Sequence, residues 1–294
     1  MLEVLAPAKI NLFLEITGKL DNGYHAVDTV MQSVSLADTV SLELLSAKEG
    51  IVISCDIPGI PTDERNIAYK TAKAYLDATG AECGVHIDIK KQIPSEAGMG
   101  GGSADGAAVL VGLNCLCGEL LSNEMLCKIA ASKGADIPFC IEGGTKRLVG
   151  IGTEVCESFA SPSFPIVIAK PKCGISTPAA YGCLDKLHAD FDNHASVNPE
   201  KLLQALGGKD ASKIVFNLFN RFEEVQGILC PEVCELISFI RDNSHAALLC
   251  GSGTAVFAVA DSDLHAKKLE KKINNKYPGY FTAVSRTVSR GCQI

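Results

Sequence analysis

The chain has 294 residues, of which 47% are hydrophobic and 21% charged, and a formal net charge of −7. Such a composition gives a globular chain ample apolar material for a core, and it excludes disordered, collagen-like and coiled-coil classes. No basic stripe suits a nucleic-acid backbone and no run of about 18 apolar residues suits a membrane span, so neither partner is expected.

In chain order, Ile10, Leu12, Leu14 and Ile16 alternate with Asn11, Phe13 and Glu15, which predicts a half-buried strand over 10–16. Asp21-Asn22-Gly23 is a turn signal. Alternation returns at 40–44 and at 85–90, and between them 66–79 has helical period and ends at Gly80, a residue that tolerates a left-handed cap. A glycine-rich stretch at 94–102 leads into a second helix, with Ser103 as the natural N-cap. Ser122 can cap a third, ending at Lys133-Gly134, and 143–155 has the glycine punctuation of a hairpin. The Pro/Ser stretch at 158–165 is the expected joint between an N-terminal unit, 1–157, and a C-terminal unit, 158–294. Beyond it the pattern predicts a strand at 166–169, a loop, and helices near 199–206, 214–226 and 231–242. A strand–turn–strand at 246–260, a helix at 263–276 and a strand at 280–288 follow. Strands and helices mix without a regular βαβ repeat, so the expected class is α+β.

The N-terminal stretch lacks a basic region and carries Lys9 and Asn11 inside its apolar run, so it is not a signal peptide. Thirteen cysteines form no CxxC pair, and most, such as Cys55, Cys127 and Cys250, lie in apolar runs. They read as small buried hydrophobes in a reducing cytoplasm, not as a disulfide framework or zinc site. The lysines at 267, 268, 271 and 272 fit a solvated helix face.

The strongest chemical signal is AGMGGGSADGAA at 97–108, between a strand and a helix. Glycines there remove side chains where a polyanion must approach the backbone and permit positive φ, so successive N–H groups can point inward. The following helix adds its positive dipole end, which makes a phosphate cradle. The segment matches neither GxxxxGK[ST] nor the dinucleotide fingerprint. Asp105, in the first turn, is discordant: turned inward, it would repel phosphate. Lys9 stands in an apolar strand and calls for an anionic partner, because an unpaired buried ammonium costs several kcal/mol. Asp136, before Ile137-Pro138, reads equally as turn-former and as functional carboxylate, and Cys250-Gly251-Ser252-Gly253-Thr254 reads first as a hairpin turn.

Pro7-Ala8-Lys9-Ile10-Asn11-Leu12, the loop at 94–104 and Gly251-Ser252-Gly253 together resemble the three motifs of the GHMP kinase superfamily. The block at 7–25 and GADIPF at 134–139 resemble the branch whose acceptor is cytidylyl-methylerythritol. The resemblance implies an N-terminal domain like ribosomal protein S5 domain 2 and a ferredoxin-like C-terminal domain. It implies an ATP-dependent kinase of isoprenoid precursor synthesis that phosphorylates a tertiary 2-hydroxyl with Mg²⁺. By position, Lys9 and Asp136 match the catalytic pair. Pro94, Ser95, Glu96, Ala97, Gly98, Met99, Gly100, Gly101, Gly102, Ser103 and Ala104 match the ATP loop, where Met99 replaces a commoner leucine and Ala104 a commoner serine. Ser103 is then the remaining loop hydroxyl for magnesium. Asn11 matches a residue beside the methylerythritol portion, Tyr24 and His25 the cytosine-recognising pair, and Thr177 and Tyr181 a contact residue and a second stacking ring. The implied form is a cytoplasmic monomer or homodimer. A homoserine- or mevalonate-type kinase, or a non-catalytic nucleotide-binding protein on the same fold, is the alternative.

Overall fold

The alternation at 10–16 belongs to a longer and more deeply placed strand than the pattern predicts. In the computed structural model, which describes residues 1–188, 196–244 and 246–294, β1 runs Leu2–Lys19 and pairs antiparallel with β2 (His25–Ser46) across the predicted turn. Both its faces are buried. Ile10, Leu12 and Phe13 enter one core, Leu14 and Ile16 another, and Lys9, Asn11 and Glu15 are buried as well. The reason is that β1 sits inside its sheet, with the second half of the chain packed over it, so neither face meets solvent. Register shifts between Pro7 and Lys9 and between Asn11 and Phe13 mark irregularities on either side of the two polar residues. Such irregularities re-aim side chains near sites.

β3 (Ile51–Cys55), α1 (Ile67–Thr79) and β4 (Cys83–Lys90) follow, with Asn66 capping α1 and Gly80 closing it at φ 66°. After the glycine loop come α2 (Gly101–Leu116), α3 (Asn123–Ala131), α4 (Ile137–Glu142), β5 (Thr145–Val149) and β6 (Glu154–Phe159). α2 starts earlier than predicted. Its N-cap is Gly100, left-handed at φ 71°, so Ser103 lies inside the first turn and is not the cap. Glycine adopts that conformation without a Cβ penalty, which lets the helix begin three residues sooner. α2 packs Ala107, Leu110 and Leu113 into the first core.

The second half has β7 (Pro165–Lys170), α5 (Thr177–Leu187), α6 (Glu200–Gly207), α7 (Ala211–Phe216), β8 (Phe219–Asn220), α8 (Glu223–Leu229) and α9 (Pro231–Arg241). β9 (Ala246–Leu249), β10 (Val256–Val259), α10 (Asp263–Lys276) and β11 (Phe281–Arg286) complete it. Two expectations fail here. The stretch after β7 is not all loop, because α5 forms from Ser176, which accepts from the Ala179 N–H, and buries Ala180 and Leu184. The helix expected at 214–226 is broken into α7, β8 and α8, because Phe219 and Asn220 pair in parallel with Phe13 and Leu14 of β1. Tertiary pairing overrides helical period there.

Among the described residues, β3-β4-β2-β1-β8 form one sheet with β5 and β6 hanging from β2. β11-β7-β10-β9 form a second sheet, antiparallel throughout. With helices after β7 and β10, the second is a βαββαβ arrangement. Residues 160–164 join the two sheets. No helix of the described residues is long and apolar enough to cross a membrane. The α10 lysines are all exposed, as expected.

One reading of the cysteines is corrected. Cys173, just after β7, is disulfide-bonded to Cys230, at the junction of α8 and α9, and the other eleven are free. The two were too far apart in sequence, 57 residues, for any spacing rule to pair them. Closing a loop of that length restricts the unfolded chain by roughly 4 kcal/mol. Cys173→Ser should therefore lower the melting temperature under non-reducing conditions and abolish its dependence on reductant. A wild-type melting curve indifferent to reductant would show that the link adds nothing to stability.

Candidate active site

Three distant stretches meet at the glycine loop. The Lys9 N–H donates to the Met99 carbonyl at 3.0 Å, and the Thr254 and Ala255 N–H groups donate to Glu96 and Ala97 at 3.1 and 3.2 Å. The loop is therefore held between β1 and the 250–254 turn. The close approach demands glycine. A Cβ on Gly98, at φ 72°, would lie 1.8 Å from the Cys250 carbonyl oxygen, and one on Gly251 would lie 2.7 Å from the Gly98 carbonyl and 3.2 Å from Lys9 Nζ. The hairpin turn read at 251–253 is thus also a wall of the site.

Lys9 is buried, and its Nζ lies 3.5 Å from Asp136 Oδ2 and donates to Asn11 Oδ1 at 3.0 Å. Asn11 is oriented in turn by donating to Thr29 Oγ1 at 2.8 Å. The anionic partner that Lys9 required is therefore Asp136. Asp136 is the N-cap residue of α4, yet its side chain makes no capping bond. Pro138 occupies the first turn, where one N–H fewer needs a cap, and the carboxylate, 30% exposed, is left facing the cleft. A Cβ on Gly100 would lie 3.2 Å from Lys9 Cγ and 3.8 Å from Asp136 Oδ2, so the loop backbone passes directly over the pair.

The cleft is a cavity of about 500 Å³. Lys9, Asn11, Asp136 and residues 94–103 line it, together with Asn66 and Ile67. Ala104, the last residue assigned to the loop, is fully buried in the core and does not line it. Helical geometry explains this: once α2 begins at Gly101, position 104 turns inward. Met99, too, is buried in the core, although it still borders the cavity.

A second cavity of about 660 Å³ adjoins the first, sharing Ser103, Asp136, Thr177 and Tyr181. Tyr24, 63% exposed, stands at its rim beside the turn. His25 is buried, with Nε2 2.6 Å from Asp185 Oδ1, and its ring stacks on Tyr181 at 4.5 Å between centroids. Tyr181 meets Phe222 edge-on at 4.9 Å. Burial, helped by the nearby charge of Asp136, pushes the Tyr181 phenol up to about 12, so the ring is neutral. Thr177 Oγ1 lies 3.0 Å from Ser252 Oγ, which ties the start of α5 to the 250–254 turn.

The site is thus an elongated two-chambered cleft with a lysine–carboxylate pair at its waist. Residues 66–144 match the GHMP kinases N terminal domain, and residues 201–279 match the GHMP kinases C terminal domain. The chain is 35% identical to 4-diphosphocytidyl-2-C-methyl-D-erythritol kinase of Clostridium acetobutylicum, with 98% of this chain and 100% of that one covered. It is 39% identical to the protein of the same name in Brevibacillus brevis, over 91% and 90% of the two chains. The chain belongs to the 4-diphosphocytidyl-2-C-methyl-D-erythritol kinase family of the GHMP kinases. The crystal structure of a 4-(cytidine 5'-diphospho)-2C-methyl-D-erythritol kinase superposes with a TM-score of 0.81 at 30% identity, covering 98% of this chain and all of that one. The fold expected from the resemblance is therefore the one observed.

Within this family frame, the structure adds residues that the sequence pattern did not single out. Asp185 holds His25 and also accepts from Lys19 Nζ at 2.6 Å. It lies one helical turn after Tyr181, a signal that was available only once 177–187 was known to be a helix. Ser252 reaches the cleft from between two glycines. Asn66, read only as the first residue of a helix, lines the cleft and caps α1 by accepting from the Ala68 N–H at 2.9 Å.

Proposed function

We propose that this kinase moves the γ-phosphoryl of ATP onto the tertiary 2-hydroxyl of 4-diphosphocytidyl-2-C-methyl-D-erythritol. The observation that carries the reading is the Lys9–Asp136 pair beneath the glycine loop, at the junction of the two chambers. In this reading the chain divides at about residue 158 into a nucleotide unit and a closing unit.

The triphosphate lies along residues 94–103. Backbone N–H groups of the loop and the N-terminus of α2 face its β and γ phosphates, where helix dipole and unpaired donors favour negative charge. Ser103 Oγ is spared from capping by Gly100 and reaches both chambers. An oxygen donor set of this kind, completed by phosphate oxygens and water, suits Mg²⁺. Ser103 would hold the ion, which neutralises charge on the β and γ phosphates when bound.

The acceptor occupies the second chamber. Tyr24 and Tyr181 supply aromatic faces for the cytosine, with His25 at its edge, and Thr177 and Asn11 contact the remainder. The acceptor hydroxyl then meets the γ-phosphorus in line. Phosphoryl transfer has a loose transition state, so alignment and charge stabilisation dominate the catalysis. Asp136 orients the hydroxyl and takes its proton. Lys9, 3.5 Å from that carboxylate, stabilises the oxygen that attacks.

An ADP-release assay that offers cytidylyl-methylerythritol, homoserine and mevalonate in turn tests the acceptor. Turnover with the first alone is expected, and turnover with either of the others instead would replace the reading. Tyr24→Ala should weaken the acceptor by about 1–3 kcal/mol, roughly 5- to 150-fold in KM, with kcat for bound substrate little changed. An unaltered KM would remove the ring from base recognition.

A further inference from the structure

The discordant acid of the phosphate loop points to a device beneath it. Asp105 is 4% exposed, and its Oδ2 accepts from Lys91 Nζ at 2.7 Å. Lys91 Nζ also donates to Asp38 Oδ2, and Asp38 Oδ1 accepts the N–H groups of Gln92 and Ile93 at 2.6 and 2.8 Å. Lys91 lies three residues before Pro94, where the loop begins, and Asp105 directly follows Ala104, where it ends. The ammonium sits under the first residue of α2: a Cβ on Gly101 would lie 3.3 Å from Nζ. Among the described residues Asp105 Oδ1 finds no donor, so the hydrogen bond that orients this carboxylate comes from Lys91 at Oδ2.

We propose that Lys91, with Asp105 and Asp38, clamps the neck of the phosphate loop and sets its grip on the β and γ phosphates, a positioning role that rests on reading 94–103 as the ATP loop. The cluster is nearly dry: burial, with the facing Asp38, pushes the Asp105 carboxyl up to about 7, and Lys91 opposes that shift, so the ionised form of Asp105 depends on Lys91. The clamp does two things at once. It fixes both ends of a loop whose glycines would otherwise leave it loose. It also turns the charge of Asp105 towards Lys91, at the helix end where a triphosphate would meet an unpaired carboxylate repulsively. Because the contact lies at the base of the loop, its effect falls on phosphates and not on the nucleoside or the acceptor.

Lys91→Met leaves two buried carboxylates facing each other and risks unfolding, so the decisive variant is Asp105→Asn, which keeps the shape and removes the charge. Isothermal titration with ATP and with adenosine is compared in wild type and variant, beside steady-state kinetics. The expected result is a loss of about tenfold for ATP, less than twofold for adenosine, and an unchanged KM for the acceptor alcohol. Equal losses for ATP and adenosine, or no loss for either, would overturn the clamp. A wild-type protein that fails to bind ATP at all would overturn the loop assignment itself, which keeps the two failures apart.

Discussion

Asp136→Asn is expected to lower kcat by about a thousandfold while leaving KM for ATP and for the acceptor within about threefold. The amide keeps the size of the carboxylate and can still lie near Lys9 Nζ, now 3.5 Å from Oδ2, so binding is preserved. It cannot take the hydroxyl proton. Because the native side chain makes no capping bond to α4, the substitution removes no structural contact of the helix. Because the amide also deprives the buried Lys9 ammonium of its anionic partner, the melting temperature should fall somewhat, and a loss of turnover in protein that is still fully folded at the assay temperature is the chemical effect. Single-turnover phosphorylation at saturating ATP measures it, and a kcat within tenfold of wild type would take Asp136 out of the chemical step.

Gly98→Ala should be nearly as damaging for a different reason. The residue sits at φ 72°, where a side chain costs roughly 1–2 kcal/mol, and its new Cβ would fall 1.8 Å from the Cys250 carbonyl oxygen. No backbone atom can stay at that distance, so the loop and the 250–254 turn must separate. The contacts from Thr254 and Ala255 to Glu96 and Ala97 would open with them. KM for ATP should rise at least about tenfold, and the melting temperature should fall by several degrees, as about 3 kcal/mol would produce in a chain of this size. Gly207→Ala, in α6 and away from the cleft, serves as the control, because a Cβ there meets nothing within 4 Å and its backbone is helical. Equal behaviour of the two variants would mean that the approach to Cys250 does not matter.

Some of this was legible in the sequence because it is local. The glycine loop, the cap at Ser122 and the turn at 21–23 are each written in a few adjacent residues. Lys9 announced itself by standing in an apolar strand. What stayed hidden depends on partners far along the chain. Pro178 and Gly182 disguise α5 as a loop, and with it the turn that brings Asp185 beneath Tyr181. Phe219-Asn220 has helical neighbours, and nothing nearby says that it will pair with β1. Ser103 looked like a cap because the residue that caps α2, Gly100, has no side chain to advertise it. Asp105 looked misplaced because Lys91 and Asp38 lie 14 and 67 positions away in sequence.

The short pairing of β8 with β1 bears on how such chains can be recombined. Asn220 hydrogen-bonds Leu249 and Gly251 while its strand extends the sheet that carries Lys9. A chimaera joining the first half of one relative to the second half of another must therefore match across this splice as well as at the linker. Crossovers that keep 219–220 and 249–251 from the same parent as β1 should yield folded hybrids far more often than cuts made at the linker alone.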